Sequence, residues 1–255
     1  FPILQKKIGI VLIKGVLKED QEGVDILRKW GSVEQDLAKQ FEEKGLKGVG
    51  IKLIPRRFYD PALSRYCRHE LTHIADILNP EFNYDPDTKV GQNPGEETLI
   101  LHRYRILWSH NIDSGLIRAG KDPMLSREDR FKEFRSWYRK IPPTQIKSVF
   151  EGLWQTDSIT HSELVEMATD TLRVMDRAID WYRARLREDP DHVDTRFRLA
   201  RCLYWAEQWS EAADLVVRLH EWTRGVFVFE QLSEQWIGLL LLLALVRKQV
   251  PLQLD

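Results

Sequence analysis

The sequence is organised around Tyr66-Cys67-Arg68-His69-Glu70-Leu71-Thr72-His73-Ile74-Ala75-Asp76. Capping and proline signals on either side of this stretch predict a helix over roughly residues 60–78. On a helix, His69 and His73 lie one turn apart on the same face. Two imidazoles in that arrangement can bind one zinc ion, and Glu70 is then close enough to reach a metal-bound water. The local spacing therefore predicts a metal site on this helix.

The same stretch resembles the extended HExxH signature of the zincin metallopeptidases. That signature has uncharged variable positions around the histidines, as found here at Cys67, Leu71, Thr72, Ile74 and Ala75. Zincins also place an edge strand before this helix, and residues 49–54 are predicted to form a strand there. The resemblance covers about residues 49–115, under a third of the chain. It implies a zinc-dependent hydrolase in which Glu70 activates the metal-bound water and passes its proton to the leaving group.

A catalytic zinc ion usually has three protein ligands and an open position for water. The metzincin continuation is absent, because no glycine turn and third histidine follow His73. Residues 103–108, followed by Ile112-Asp113, are similar to the segment after HExxH-x-x-D in uncharacterised bacterial zincin-like proteins. This resemblance implies Asp113 as the third ligand.

Other residues remain candidates for that position. In the glutamate-zincin group the third ligand is a carboxylate on the next helix, which implies Glu97 as the second choice. Glu96 and His110 are further alternatives. Paired glutamates also suit the dipole at a helix N-terminus, so Glu96 and Glu97 have a purely structural explanation as well.

Several polar residues are candidates for supporting the site. Asp76 lies three residues past His73 and could orient a histidine, although a surface aspartate is an equally good interpretation. His110 is a candidate for stabilising an oxyanion. The other candidates for that role are His102, Tyr104 and Tyr84.

Composition excludes several classes of protein. Lysine plus arginine is 38 and aspartate plus glutamate is 39, a formal net charge of −1, which argues against a protein built to coat nucleic acid. Two cysteines cannot form a disulfide scaffold or a four-thiolate zinc site, and they favour a reducing, cytoplasmic compartment. The longest apolar run, residues 236–246, is shorter than the roughly 20 residues of a bilayer span. We therefore expect a buried helix there and no membrane span.

The two halves of the chain differ in their predicted secondary structure. The first half predicts a strand at residues 8–17, a helix at 21–44 ended by Gly45, and a strand at 48–54. A helix at about 96–110 and a short strand at 115–118 follow. Pro142-Pro143 is the best linker, which predicts a zincin-like domain at residues 1–141 and a helical domain at 142–255.

Residues 193–220 resemble a tetratricopeptide repeat. Ala200 and Leu203 fit its first helix, and Trp209 and Ala212 fit its second. A preceding unit would place its second helix around residues 178–182, whereas its first helix matches poorly. A plain pair of helical hairpins is the alternative.

Together these patterns predict a mainly helical α+β fold, with a small sheet and the HExxH helix followed by an all-helical half. The expected function is zinc-dependent hydrolysis of a polypeptide. The alternative is a non-catalytic protein that binds a protein partner and carries a structural or vestigial zinc site. A third possibility keeps the zinc chemistry but cleaves a non-peptide amide, and the oligomeric state stays open.

Overall fold

The computed structural model describes residues 1–27, 36 and 39–223. A short helix, α1 (Pro2–Lys7), leads into a sheet that has three strands in the described part of the chain. These strands are β1 (Ile8–Gly15), β2 (Gly23–Ile26) and β3 (Lys47–Leu53). The order is β1-β3-β2, with β1 parallel and β2 antiparallel to β3.

Two predictions for this region were wrong. Residues 49–54 were expected to form an edge strand, but β3 is the central strand, because β1 and β2 pair with its two sides. The start of the helix predicted over 21–44 was wrong, because Gly23–Ile26 forms β2. Residues 28–35 and 37–38 of that predicted helix lie outside the described residues. Gly45 has a φ of 73°, the left-handed conformation that glycine adopts readily at the end of a helix.

The described helices after the sheet are α2 (Leu63–Leu78), α3 (Pro94–Arg118), α4 (Arg127–Trp137), α5 (Ile146–Trp154), α6 (His161–Thr169), α7 (Arg173–Glu188), α8 (Val193–Trp205) and α9 (Trp209–Thr223). The predicted helix around the HExxH stretch is confirmed by α2. The mainly helical α+β class is confirmed as well.

Helix α3 corrects the prediction for residues 96–118. It continues for 25 residues, so the break after residue 110 and the strand at 115–118 were wrong. The physical reason is its buried face, which extends through Ile112 and Leu116. Burial of these apolar side chains stabilises the helix beyond residue 110.

Residues 1–133 and 157–169 form one compact unit. Its core packs Val49, Ile51 and Leu53 of β3 together with Tyr66 and Ile74 of α2. Val49 is fully buried and Ile74 is 1% exposed. Burial of these apolar side chains holds α2 against one face of the sheet, which determines where the histidines of α2 lie.

Residues 134–156 and the described residues from 170 onwards form the second unit. In it α5 packs closely on α7, because Gly152 has no side chain to separate it from Ala178. The Tyr182 hydroxyl donates to the Ser148 carbonyl at 2.7 Å, which adds a polar link between these helices. The two units interleave along the chain, and the predicted boundary between residues 141 and 142 stays a prediction.

The described helices include none that is long and apolar enough to cross a bilayer. The apolar run at residues 236–246, predicted to be a buried helix, lies outside the described residues.

Candidate metal centre

Helix α2 brings three potential ligands together. The nearest ligand atoms of His69, Glu70 and His73 all lie within 4.8 Å of one another. The two imidazole rings are 4.9 Å apart at their centroids and nearly perpendicular. His69 is only 4% exposed, whereas Glu70 and His73 are partly exposed. The grouping follows directly from the one-turn spacing of the histidines on a helix.

Both ring nitrogens of His69 contact side chains of α3. Nδ1 lies 2.9 Å from Asp113 Oδ1, and Nε2 lies 3.3 Å from Ser109 Oγ. An ionised carboxylate only accepts hydrogen bonds, so Nδ1 carries the proton and Nε2 has the free lone pair. Ser109 was missed from the sequence, although its spacing of four residues from Asp113 places both on one face of α3.

Asp113 is fully buried and surrounded by donors. Oδ1 accepts from His69 and from the Met124 amide at 2.9 Å, while Oδ2 accepts from the Leu125 amide at 3.2 Å and from Arg130 Nε at 2.6 Å. Burial raises the pKa of Asp113, but the hydrogen bond from His69 and the charge of Arg130 outweigh it and lower the pKa below its usual value. Sequence reasoning also missed Arg130, since the motif carries no signal for it.

His73 packs edge-on against Trp108 of α3, with ring centroids 4.3 Å apart. Within the described residues its Nδ1 is buried and makes no hydrogen bond. Burial is the largest cause that lowers the pKa of His73 to about 3, and the charge of Arg130 adds to it. The imidazole is therefore neutral near pH 7, which is the form that binds a metal ion.

Asp76 supports His73 through the same tryptophan. Trp108 Nε1 donates to Asp76 Oδ2 at 2.7 Å, so Asp76 contacts the indole rather than a histidine. Burial raises the pKa of Asp76 to about 6, and the hydrogen bond from Trp108 partly opposes this shift. The carboxylate thereby fixes the ring that packs on His73.

Glu70 lies next to the outer edge of the sheet. Burial raises its pKa, while a hydrogen bond from the backbone of Val24 opposes the increase. The Leu27 amide donates to the Gly48 carbonyl at 3.0 Å, so alternate residues of β2 pair with β3. By this alternation Val24 and Ile26 direct their amides away from β3. Glu70 therefore contacts the outer side of β2.

The other predicted ligands lie elsewhere. Glu96 and Glu97 occupy the first turn of α3, where Asn93 caps the amide of Glu96 at 3.0 Å. Glu97 precedes Ser109 by twelve residues, a distance of about 18 Å along a helix axis. Among the described residues, no other imidazole and no other carboxylate joins the group of His69, Glu70 and His73. The imidazole of His110 therefore lies outside this group.

Two of the remaining candidates, Tyr104 and Tyr84, lie beside Trp108. Tyr104 Oη lies 2.8 Å from His161 Nδ1, so its hydroxyl is already engaged. Tyr84 stacks near Trp108 with centroids 6.0 Å apart. His102 is exposed. None of these three belongs to the three-residue group that the described structure forms around His69.

The donor set is appropriate for zinc. Two imidazoles, one of them with a buried nitrogen that lacks a hydrogen bond within the described chain, lie beside a carboxylate. Catalytic zinc sites are built from histidine and carboxylate ligands with a position left for water. The residues present therefore offer a zinc ion two imidazole ligands, His69 and His73, with Glu70 adjacent, and the described residues place no third imidazole or further carboxylate in this group.

Comparison with known proteins identifies one similarity. A family model described as "Tetratricopeptide repeat" matches residues 175–225, which include most of α7 and all of α8 and α9. This confirms the repeat-like character predicted for that segment. No curated protein and no solved structure is significantly similar to the chain.

Proposed function

We propose that this protein is a zinc-dependent hydrolase of the zincin type that acts on polypeptides. The observation that carries the proposal is the grouping of His69, Glu70 and His73 within 4.8 Å on one turn of α2. A purely structural zinc site does not need a glutamate beside its histidines, whereas a hydrolase needs a base in that position.

The proposed roles follow from the environment of each residue. His69 and His73 hold the ion through neutral imidazole nitrogens. The chemistry that a bound zinc ion supplies is Lewis acidity, which polarises a carbonyl and lowers the pKa of water. Glu70 takes the proton from the attacking water and delivers it to the leaving nitrogen. Its pKa is raised by burial, which makes it a better proton acceptor near neutral pH.

The outer edge of β2 is the proposed site for substrate. Val24 and Ile26 point their backbone groups away from β3, and Glu70 lies beside Val24. The Ile26 amide donates to Asp25 Oδ1 at 2.7 Å, so the carbonyls of this edge are the groups proposed to accept from an extended peptide that passes next to Glu70. Strand β3 cannot take this role, because β1 and β2 already pair with its two sides.

Metal analysis and one substitution test the proposal. Purified protein should contain about one zinc ion per chain, and Glu70→Gln should keep the zinc but lose hydrolysis of a peptide library by at least about a hundredfold. Glu97→Gln, at an exposed position of α3, is the matched control and should keep both. Absence of stoichiometric zinc, or hydrolysis that survives Glu70→Gln, would contradict the proposal.

A second candidate function is binding of a protein partner without catalysis. The match of residues 175–225 to a tetratricopeptide repeat favours it, because stacked repeats form binding surfaces for other proteins. This support comes from a family match, whereas the hydrolase rests on the geometry of three residues. X-ray absorption of the zinc-loaded protein separates the two. Four protein ligands and no water would favour partner binding, and an open position would favour the hydrolase.

A further inference from the structure

Asp113 offers no free acceptor position for a metal ion. An ionised carboxylate has about four lone-pair sites. All four are used here, by His69 Nδ1, the amides of Met124 and Leu125, and Arg130 Nε. A zinc ion could bind Asp113 only if one of these buried donors lost its partner, which is unfavourable inside a protein.

We infer that Asp113 is a positioning residue that holds His69 for the metal, rather than the third ligand that its sequence context implies. The inference rests on the proposed zinc site. Its core is the contact of Asp113 Oδ1 with His69 Nδ1, which leaves Nε2 as the coordinating nitrogen. Such outer carboxylates orient the ring of a metal-bound histidine and fix its tautomer.

Asp113 is itself held from two directions. Arg130 of α4 donates from Nε to Oδ2 at 2.6 Å, and its Nη1 donates to Glu133 at 2.6 Å. The segment between α3 and α4 supplies the amides of Met124 and Leu125. The orientation of His69 on α2 therefore depends on α4 and on the loop that precedes it, through a single carboxylate.

The weaker contact of His69 is on the coordinating side. Ser109 Oγ lies 3.3 Å from Nε2, longer than the 2.9 Å contact of Asp113 with Nδ1. A metal ion can take the place of the Ser109 hydroxyl while Asp113 stays in place. Asp113 and Ser109 are one turn apart on α3, so both can contact the same imidazole. Asp113 holds Nδ1 firmly, whereas the longer contact of Ser109 with Nε2 can be replaced by a metal ion.

The first experiment uses metal-free protein. Nitrogen-15 NMR of the histidine side chains, with His69 assigned from a His69→Gln variant, should show the proton of His69 on Nδ1. Asp113→Asn should shift the tautomer equilibrium of His69 or broaden its signal. Asp129→Asn changes an exposed carboxylate of α4 that pairs with Lys132, and it should leave the His69 signal unchanged.

The second experiment measures zinc affinity by competition with a chelator. Asp113→Asn and Arg130→Lys should each weaken zinc binding by about ten- to a hundredfold, because both loosen His69. Arg130 cannot bind zinc, so its effect reports positioning alone and remains informative if Asp113→Asn fails to fold. With cobalt in place of zinc, the visible spectrum of Asp113→Asn should indicate the same coordination number as that of the wild type.

The outcomes separate the two proposals. A cobalt spectrum that shows loss of a ligand in Asp113→Asn, or an unchanged affinity in Arg130→Lys together with an unchanged His69 tautomer in Asp113→Asn, would overturn the positioning role. Failure of the wild-type protein to take up zinc would overturn the proposed function. In that case the NMR measurement on metal-free protein would still decide whether Asp113 holds His69.

Discussion

His69 Nδ1 and Asp113 Oδ1 lie 2.9 Å apart, although 44 positions separate the two residues in the chain. Both side chains are almost completely buried, and Arg130 lies on the other side of the carboxylate. Buried charges are costly unless each has a partner. This contact therefore joins α2 to α3 and makes the candidate metal site dependent on a buried ion pair.

Loss of Arg130 should destabilise the protein strongly. Arg130→Ala leaves Asp113 as a buried carboxylate without its cation, and we expect a loss of about 3–5 kcal/mol in the free energy of unfolding. Urea unfolding of metal-free protein measures it. Lys132→Ala removes an exposed ion pair on the same helix and should cost less than about 1 kcal/mol. An Arg130→Ala variant as stable as Lys132→Ala would show that the pair contributes little.

Ser109 should compete with metal for His69 Nε2. Ser109→Ala removes a hydrogen bond that the metal must break, so zinc affinity should rise by about two- to fivefold. Ser109→Asp places a carboxylate beside Nε2, where it can complete the ligand set, and should raise the affinity by about tenfold or more. Competition with a chelator gives both values. Weaker zinc binding in both variants would mean that the metal does not approach Nε2.

His161 should make the stability depend on pH. Thr88 donates to Asp85 at 2.9 Å, so it accepts from His161 Nε2, and Nδ1 accepts from Tyr104. This arrangement uses the neutral imidazole, and burial lowers the pKa of His161 below its ordinary 6.5. The unfolded chain then binds more protons, so stability from neutral His161 is present above about pH 6.5 and is lost as the pH falls.

Unfolding measured between pH 8 and pH 5 checks this expectation. His161→Asn should lose less stability than the wild type over that interval, although it starts less stable at pH 8. Asp85→Asn removes a charge that raises the pKa of His161. The stability of this variant should therefore fall more steeply than that of the wild type as the pH is lowered. Parallel pH curves for the wild type and His161→Asn would exclude His161 as the source.

Gly152 should resist substitution because of its close contact with α7. A Cβ added there would lie 2.8 Å from Ala178 Cβ and 3.0 Å from Ala178 Cα. The helices would have to move apart, and we expect Gly152→Ala to cost about 1–3 kcal/mol in unfolding free energy. Gly115→Ala is the matched control within a helix, since its nearest neighbour would be the Arg118 side chain at 3.9 Å. It should be neutral or slightly stabilising. Equal effects of the two changes would argue against the close contact.

The sequence was sufficient where the pattern is local. The one-turn spacing of His69 and His73, with Glu70 between them, required only the period of a helix, and α2 has that form. The repeat-like spacing around Ala200 and Ala212 was recognisable for the same reason, and the family match at residues 175–225 agrees with it.

Errors arose where long-range packing competes with local signals. The helix predicted at about 96–110 was too short, because the buried face of α3 continues to Leu116. Residues 23–26 lie in a window with helical spacing but form β2, because pairing with β3 satisfies their backbone. That pairing also placed β3 in the centre of the sheet instead of at its edge.

The sequence by itself determined which side chains could hold a metal ion, because helix geometry places His69, Glu70 and His73 together whatever surrounds them. The tertiary structure alone decided what Asp113 does. Its four donors come from α2, from the loop after α3 and from α4, and no local pattern predicts that they converge on one carboxylate. The four donors matter because Asp113 is buried. A charge removed from water must be satisfied by the groups that enclose it.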